Sequence, residues 1–196
     1  MLVLVACSGC SIFSIFGAGG TSQDPEVAAL QKQYGIGASV SESARGSYRS
    51  DPAAVEKQLG RTRAYIGALL WPIKCARLTS RFGRRSLRFH EGIDLAAPAG
   101  TPIYAAHNGD VLYSGRGFNG YGNIILLKGD TGLLSVYAHN RSNLVKKGQP
   151  VKKGQVIAYV GQTGRASGPH LHYELRVQNK ENKFPAVDPL IFYPRG

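Results

Sequence analysis

The stretch "GPHLHYE", Gly168 to Glu174, decides how the rest of the chain is read. Only five histidines occur in 196 residues, and two of them stand here two positions apart inside an alternating apolar run. In steps of two, one side reads His170, His172, Glu174 and Arg176, and the other Leu171, Tyr173, Leu175 and Val177. Successive side chains of a strand point to opposite faces, so this is a strand with one polar face and one core face. Two imidazoles project together from the polar face. Two readings compete: a solvated strand face, or half of a metal site. The pair alone does not choose between them.

Upstream, from Trp71 onward, the texture is uniform. Short runs rich in β-branched and aromatic residues alternate with Gly, Pro and Asn turns: "ARLTSRF", "TPIYAA", "GDVLYSG", "GNIILLK", "GLLSVYAH", "QVIAYVG" and "PLIFY". Many short strands at close spacing predict an all-β sandwich or barrel-like sheet. "VKKGQP" at Val145 is echoed by "VKKGQV" at Val151. The two copies read as successive β-turns, with Gly148 and Gly154 supplying special backbone angles.

Residues 21–70 read as a connecting region. "DPEVAALQKQYG" offers Asp24 as N-cap, Pro25 at the first helical position and Gly35 as a stop, which predicts a short helix. "DPAAVEKQLGRTRAYIGALL" repeats that start at Asp51 and Pro52, and "GIGASVSESARGSYRS" between them reads as flexible linker. Residues 1–20 look like a targeting leader and stand outside the fold. The first 22 residues carry no charge, and "LVAC", Leu4 to Cys7, resembles a bacterial lipobox. That match implies a lipidated Cys7 and membrane attachment at the cell envelope. The competing reading is an uncleaved anchor helix, which four Gly and three Ser in the leader disfavour.

Lys and Arg total 24 against 12 Asp and Glu, a formal charge of +12. The excess suits an anionic partner: nucleic acid, an acidic membrane surface or an acidic wall polymer. No basic run interleaves with stacking aromatics, so nucleic acid is not the expected partner. Of three cysteines, Cys7 and Cys10 lie in the leader and Cys75 lies far away, so no disulfide framework is expected. Cys75 reads as an ordinary half-buried residue.

"HEGID" sets His90 and Asp94 four apart. The spacing is that of a helical zinc-protease motif, but Gly92, Pro98 and Gly100 make a helix improbable. Glu91 thereby loses its claim as a catalytic base. On an extended backbone His90 and Asp94 can face the same way, and both are good zinc ligands. In "YAHN", alternation sets Tyr137 and His139 on one face. His107, before an Asn-Gly turn, reads as a surface histidine. "GRGFNG" matches a dinucleotide fingerprint, yet a strand follows it instead of a helix, so it reads as a loop.

Taken in order, H-x-x-x-D, then Y-A-H, then G-P-H-L-H-Y-E resembles the lysostaphin/LytM-type zinc metallopeptidases of the M23 family. "LTSRFGRR", "GIDLAAPAGTPIYAA", "GYGNIILL", "GQTG" and "VDPLIFY" support the likeness, which runs from Trp71 to Tyr193 within an expected domain of residues 71–196. Asn140 departs from it, since members often carry Leu there. The resemblance implies a lysostaphin-like antiparallel β-sheet with a groove over one Zn2+. It implies that His90, Asp94 and His172 hold the zinc while His139 and His170 flank the attacking water. It further implies a peptidoglycan endopeptidase, with cell-division or wall-remodelling proteins as possible partners. Non-enzymatic activators of cell-wall amidases share the fold and form the alternative.

Overall fold

The computed structural model describes residues 24–37, 65–85 and 88–193. The leader with Cys7 and the second helix expected at Asp51 lie outside the described residues. Among the described residues, no helix is long and apolar enough to cross a membrane.

Among the described residues one α-helix, α1, spans Pro25–Tyr34. Asp24 caps it, its side chain accepting from the Glu26 N–H at 2.9 Å, and the Gly35 N–H closes it on the Gln31 carbonyl. The strands follow in chain order: β1 Arg77–Ser80, β2 Gly83–Arg84, β3 Phe89–His90, β4 Ile93–Ala96, β5 Pro102–Tyr104, β6 Gly109–Gly115 and β7 Asn123–Lys128. They continue as β8 Leu133–Asn140, β9 Ser142–Asn143, β10 Pro150–Val151, β11 Val156–Tyr159, β12 His170–Val177 and β13 Ala186–Val187. The main sheet runs β1-β4-β12-β8-β7-β6-β10, with β13 extending the β4 side of β12. All its pairings are antiparallel. A small sheet, β5-β11-β9, lies apart from it, and β2 pairs with β3 as a two-stranded ribbon. The all-β expectation therefore holds, as does the non-helical reading of "HEGID".

The sheet is covered on both faces. On one, Ile93, Leu95, Tyr137, Leu171, Tyr173 and Leu175 join Ile103 and Ile157 of the small sheet, and Val160 just after it, in the larger core. On the other, Val27, Leu30, Tyr34 and Ile36 from α1 and the residues after it pack on Ile124, Leu126, Leu134, Val136 and Ala138. Each fully buried Val, Leu or Ile among them contributes about 1.5–3 kcal/mol. This second cover settles the competition over β12. Its polar face is not solvated: Glu174 and Arg176 are buried beside the helix.

The two "KKGQ" turns behave as read, with φ of 79° at Gly148 and 84° at Gly154. Three expectations are corrected. "PLIFY" forms a 3-10 helix, Pro189–Phe192, because Asp188 caps it by accepting from the Leu190 N–H and Pro189 starts it. Cys75 is exposed; its φ of 58° places it in a turn outside the core. His107 is buried, not on the surface. Its Nδ1–H donates to the Asn108 carbonyl at 2.7 Å, and Nε2 lies 2.8 Å from Ser135 Oγ on β8.

Burial holds the His107 imidazole below the ordinary histidine value, against the Asn108 carbonyl bond that would raise it. The unfolded chain thus binds the proton more readily, and stability falls as pH drops through the unfolded value toward the folded one. Urea unfolding should therefore lose more stability between about pH 7 and pH 5 in the wild type than in His107→Gln. Equal losses would show that His107 takes up its proton alike in the folded and unfolded states.

Candidate metal centre and its flanking histidines

The order of strands brings the five side chains together. Asp94 on β4 stands opposite His172 on β12, and His172 stands opposite Ala138 on β8. His90 ends β3, directly before the two-residue turn into β4. Gly92 in that turn passes so close to β12 that a Cβ there would sit 2.4 Å from the Tyr173 carbonyl and 3.0 Å from His172 Cε1. Only glycine lets the "HEGID" backbone bring both side chains to this point.

His139 reaches the cluster by a different route from the one alternation gives. Tyr137 faces the larger core, where its hydroxyl accepts from the Ala106 N–H. His139 instead packs against His170 and His172, at ring-centroid distances of 4.8 and 5.9 Å. The expectation that Tyr137 and His139 share a face is corrected by a β-bulge. Asn123 faces Asn140 but Ile125 faces Tyr137, so Ile124 opposes both Ala138 and His139. His139 has φ of 64°, a left-handed conformation rare outside glycine and frequent at functional sites. Asn140 braces the bulge, its Nδ2 donating to the Tyr137 carbonyl at 3.1 Å and to Asn143 Oδ1 at 2.9 Å.

Three atoms converge: His90 Nε2, Asp94 Oδ1 and His172 Nδ1. Their separations are 3.1 Å between the two nitrogens, 3.1 Å from His90 to Asp94 and 3.0 Å from His172 to Asp94. The far nitrogens fix the tautomers. His90 Nδ1–H donates to the Arg81 carbonyl at 2.8 Å, and His172 Nε2–H donates to Glu174 Oε1 at 2.9 Å. With neutral rings, all three converging atoms offer lone pairs to one another and none offers a proton. Such a donor set calls for a cation at its centre. Ligands about 2.0–2.1 Å from a tetrahedral zinc would stand about 3.3–3.4 Å apart, close to the spacing here. These three side chains could hold a metal ion.

The electrostatics agree. Burial disfavours the Asp94 charge, yet the His172 and His90 rings, wherever a proton stands in the metal's place between them and the carboxylate, hold its carboxyl far below the usual range. Burial also opposes a charge on His172, but Asp94 and Glu174 outweigh it and push the imidazole up to about 9. The pocket therefore stabilises positive charge where the three atoms meet.

His139 and His170 sit beside this point without joining the triad. His139 Nδ1–H donates to the Thr163 carbonyl and His170 Nδ1–H to the Gly168 carbonyl, both at 2.8 Å. Each ring is thereby left with a lone pair on Nε2. His170 Nε2 is 3.8 Å from Asp94 Oδ1. Burial pushes His139 down to about 4, with the neighbouring His172 and His170 adding to the effect.

Four further residues, none assigned to the site from the sequence, support it. Glu174, fully buried, accepts from His172, from the Tyr121 hydroxyl at 2.7 Å and from Arg176 Nε at 2.7 Å. A carboxylate behind a ligating imidazole fixes its tautomer and orientation. Arg85 donates to Asp94 Oδ2 at 3.0 Å, leaving Oδ1 to the histidines. Glu174 and Arg176 were legible as further members of the polar face of β12. Arg85 and Tyr121 carried no such signal.

The sequence profile of Peptidase family M23 matches residues 88–185. The chain belongs to that family, and its sheet is the lysostaphin fold. A lipoprotein NlpD/LppB homolog of Pseudomonas aeruginosa is 41% identical over 130 residues, covering 66% of this chain and 41% of that protein. The DD-carboxypeptidase/endopeptidase Mpg of Neisseria meningitidis is 41% identical over 115 residues, 56% of this chain and 26% of Mpg. The murein hydrolase activator NlpD of Salmonella typhimurium is 40% identical over 134 residues, 68% of this chain and 33% of NlpD. The chain thus spans less than half the length of these relatives. Among solved structures, a zinc-containing peptidase from Vibrio cholerae superposes with a TM-score of 0.53 at 37% identity, covering 60% of this chain and 37% of that one. The antimicrobial peptidase lysostaphin of Staphylococcus simulans does so with a TM-score of 0.51 at 30% identity, covering 66% and 50%.

Proposed function

We propose that this chain is a zinc-dependent endopeptidase that hydrolyses peptide bonds in bacterial peptidoglycan. The observation that carries the reading is the convergence of three lone-pair donors, His90 Nε2, Asp94 Oδ1 and His172 Nδ1, beside two histidines with free Nε2 atoms. Zinc held by those three residues would polarise the scissile carbonyl and acidify water toward neutral pKa. The remaining chemistry belongs to the chain. His139, held neutral by burial, presents an unprotonated Nε2 to a proton donor at neutral pH. His170, across from it, is placed to share in stabilising the oxyanion and protonating the leaving amine.

The substrate follows from charge and kinship. A chain with a formal charge of +12 suits an anionic wall. A cleft of about 350 Å³ is lined by Gly100, Arg141, Ser142 and Tyr159, which puts one cationic side chain on its wall. Carboxylate-bearing peptides match that wall. The envelope location and the lipid on Cys7 belong to the same reading, supported by the lipoprotein relative. The kinship with the Salmonella activator supports a second reading, in which the domain switches on a separate amidase. The complete five-residue set favours the enzyme.

Digestion of purified peptidoglycan by the full chain separates the two, with products identified by mass. The enzyme releases peptide fragments alone and stops with chelator. An activator releases nothing until an amidase is added, and chelating its own metal changes little.

A further inference from the structure

We propose that helix α1 is a working part of the metal centre: it holds Arg176, and through Arg176 and Glu174 it sets the imidazole of His172. The proposal rests on the reading of His90, Asp94 and His172 as metal ligands. It adds to them a segment that lies outside residues 88–185, the stretch matched by the family profile.

Arg176 is 2% exposed, and every nitrogen of its guanidinium is engaged. Nε donates to Glu174 Oε2 at 2.7 Å, and Nη2 donates to Glu91 Oε2. Nη1 donates to the Tyr34 carbonyl at 3.1 Å and the Phe184 carbonyl at 3.4 Å. A buried charge is tolerated only when its partners are complete. Here one partner is the carbonyl of the last residue of α1. The last carbonyls of a helix lack intrahelical partners and carry the negative end of its dipole, so a guanidinium suits them.

The chain of contacts runs without a gap. Tyr34 O meets Arg176, Arg176 meets Glu174, and Glu174 receives the Nε2–H of His172, whose Nδ1 faces Asp94 and His90. The helix also seals this path. Val27, Leu30, Tyr34 and Ile36 are buried against the sheet face that carries Glu174. Lifting α1 removes one acceptor from Arg176 and admits water to the Arg176–Glu174 pair. Glu174 then holds His172 less firmly, and the ligand set loosens. A partner that captured α1 would thereby weaken the metal centre from behind.

The test measures zinc affinity of the full chain by competition with a chromogenic chelator, and the visible spectrum after cobalt substitution. Leu30→Asp places a charge in the α1 interface. Its expected result is a zinc affinity about 10–100-fold lower, the range seen when outer-shell partners of metal ligands are lost. The cobalt spectrum should change, while circular dichroism retains the sheet and proteolysis opens residues 24–37. If Leu30→Asp fails to fold, Leu30→Ala and Val27→Ala should give smaller losses in the same direction. In an Arg176→Lys background the helix substitution should cost far less, because the route is already cut; simple loss of stability would add instead. Wild-type zinc affinity with α1 demonstrably undocked would overturn the proposal and leave the ligand assignment standing. Absence of zinc binding in the wild type would overturn both.

Discussion

His172→Ala should yield a protein that binds no zinc tightly and cleaves no peptidoglycan. His172 supplies one of three converging donors, and it is the one whose far nitrogen is fixed by the buried Glu174. With it gone, His90 and Asp94 remain, and two protein ligands fall short of the three that catalytic zinc sites keep. Metal analysis after dialysis and a digestion assay check both halves of the expectation. Asp94→Ala should behave alike, since Asp94 Oδ1 touches both imidazoles. Full zinc occupancy in His172→Ala would remove the ligand assignment.

His139→Ala and His170→Ala should give the opposite pairing: zinc retained, turnover lost. Neither ring takes part in the three-atom cluster, and each spends its Nδ1–H on a backbone carbonyl. A positioned acid–base group contributes roughly 10²–10⁴-fold, so each variant should fall by about that factor. The two substitutions together should cost less than the product of the singles if both histidines serve one proton path. Loss of zinc in His170→Ala would exchange the roles of His170 and His172. Wall cleavage that requires an added amidase and is undiminished in both variants would favour the activator reading.

The sequence disclosed these five side chains because two of its signals are local. Alternation through "HLHYELRV" needs no knowledge of the fold, and neither does the incompatibility of Gly92 and Pro98 with a helix. The resemblance supplied the order in which the pieces recur. What stayed hidden depends on partners distant in sequence. The bulge at His139 is set by how β7 pairs with β8, and alternation within one strand gives the wrong face. His107 is buried because Ser135, 28 residues away, receives it. The helix at Pro25 was legible from its caps, but nothing local indicated that its last carbonyl meets a guanidinium 142 residues later. Arg85 lies among several exposed arginines, and its bond to Asp94 marks it out only once the β2–β3 ribbon is in place.

The central position of β12 has a bearing on how the molecule is made. His90 and Asp94 meet His172 only after β12 has paired with β4, a closure of some 80 residues. Contacts this far apart form late, since loop-closure entropy is spent before they return anything. An unfolded or nascent chain therefore offers a metal only isolated pairs of ligands. On the proposed ligand assignment the full coordination set exists only in the finished fold, so metal uptake would follow folding and then lock it, with release requiring β4 and β12 to part. Chelator should accordingly speed global unfolding, and a chain kept unfolded should compete poorly for the ion until its central strand is in register.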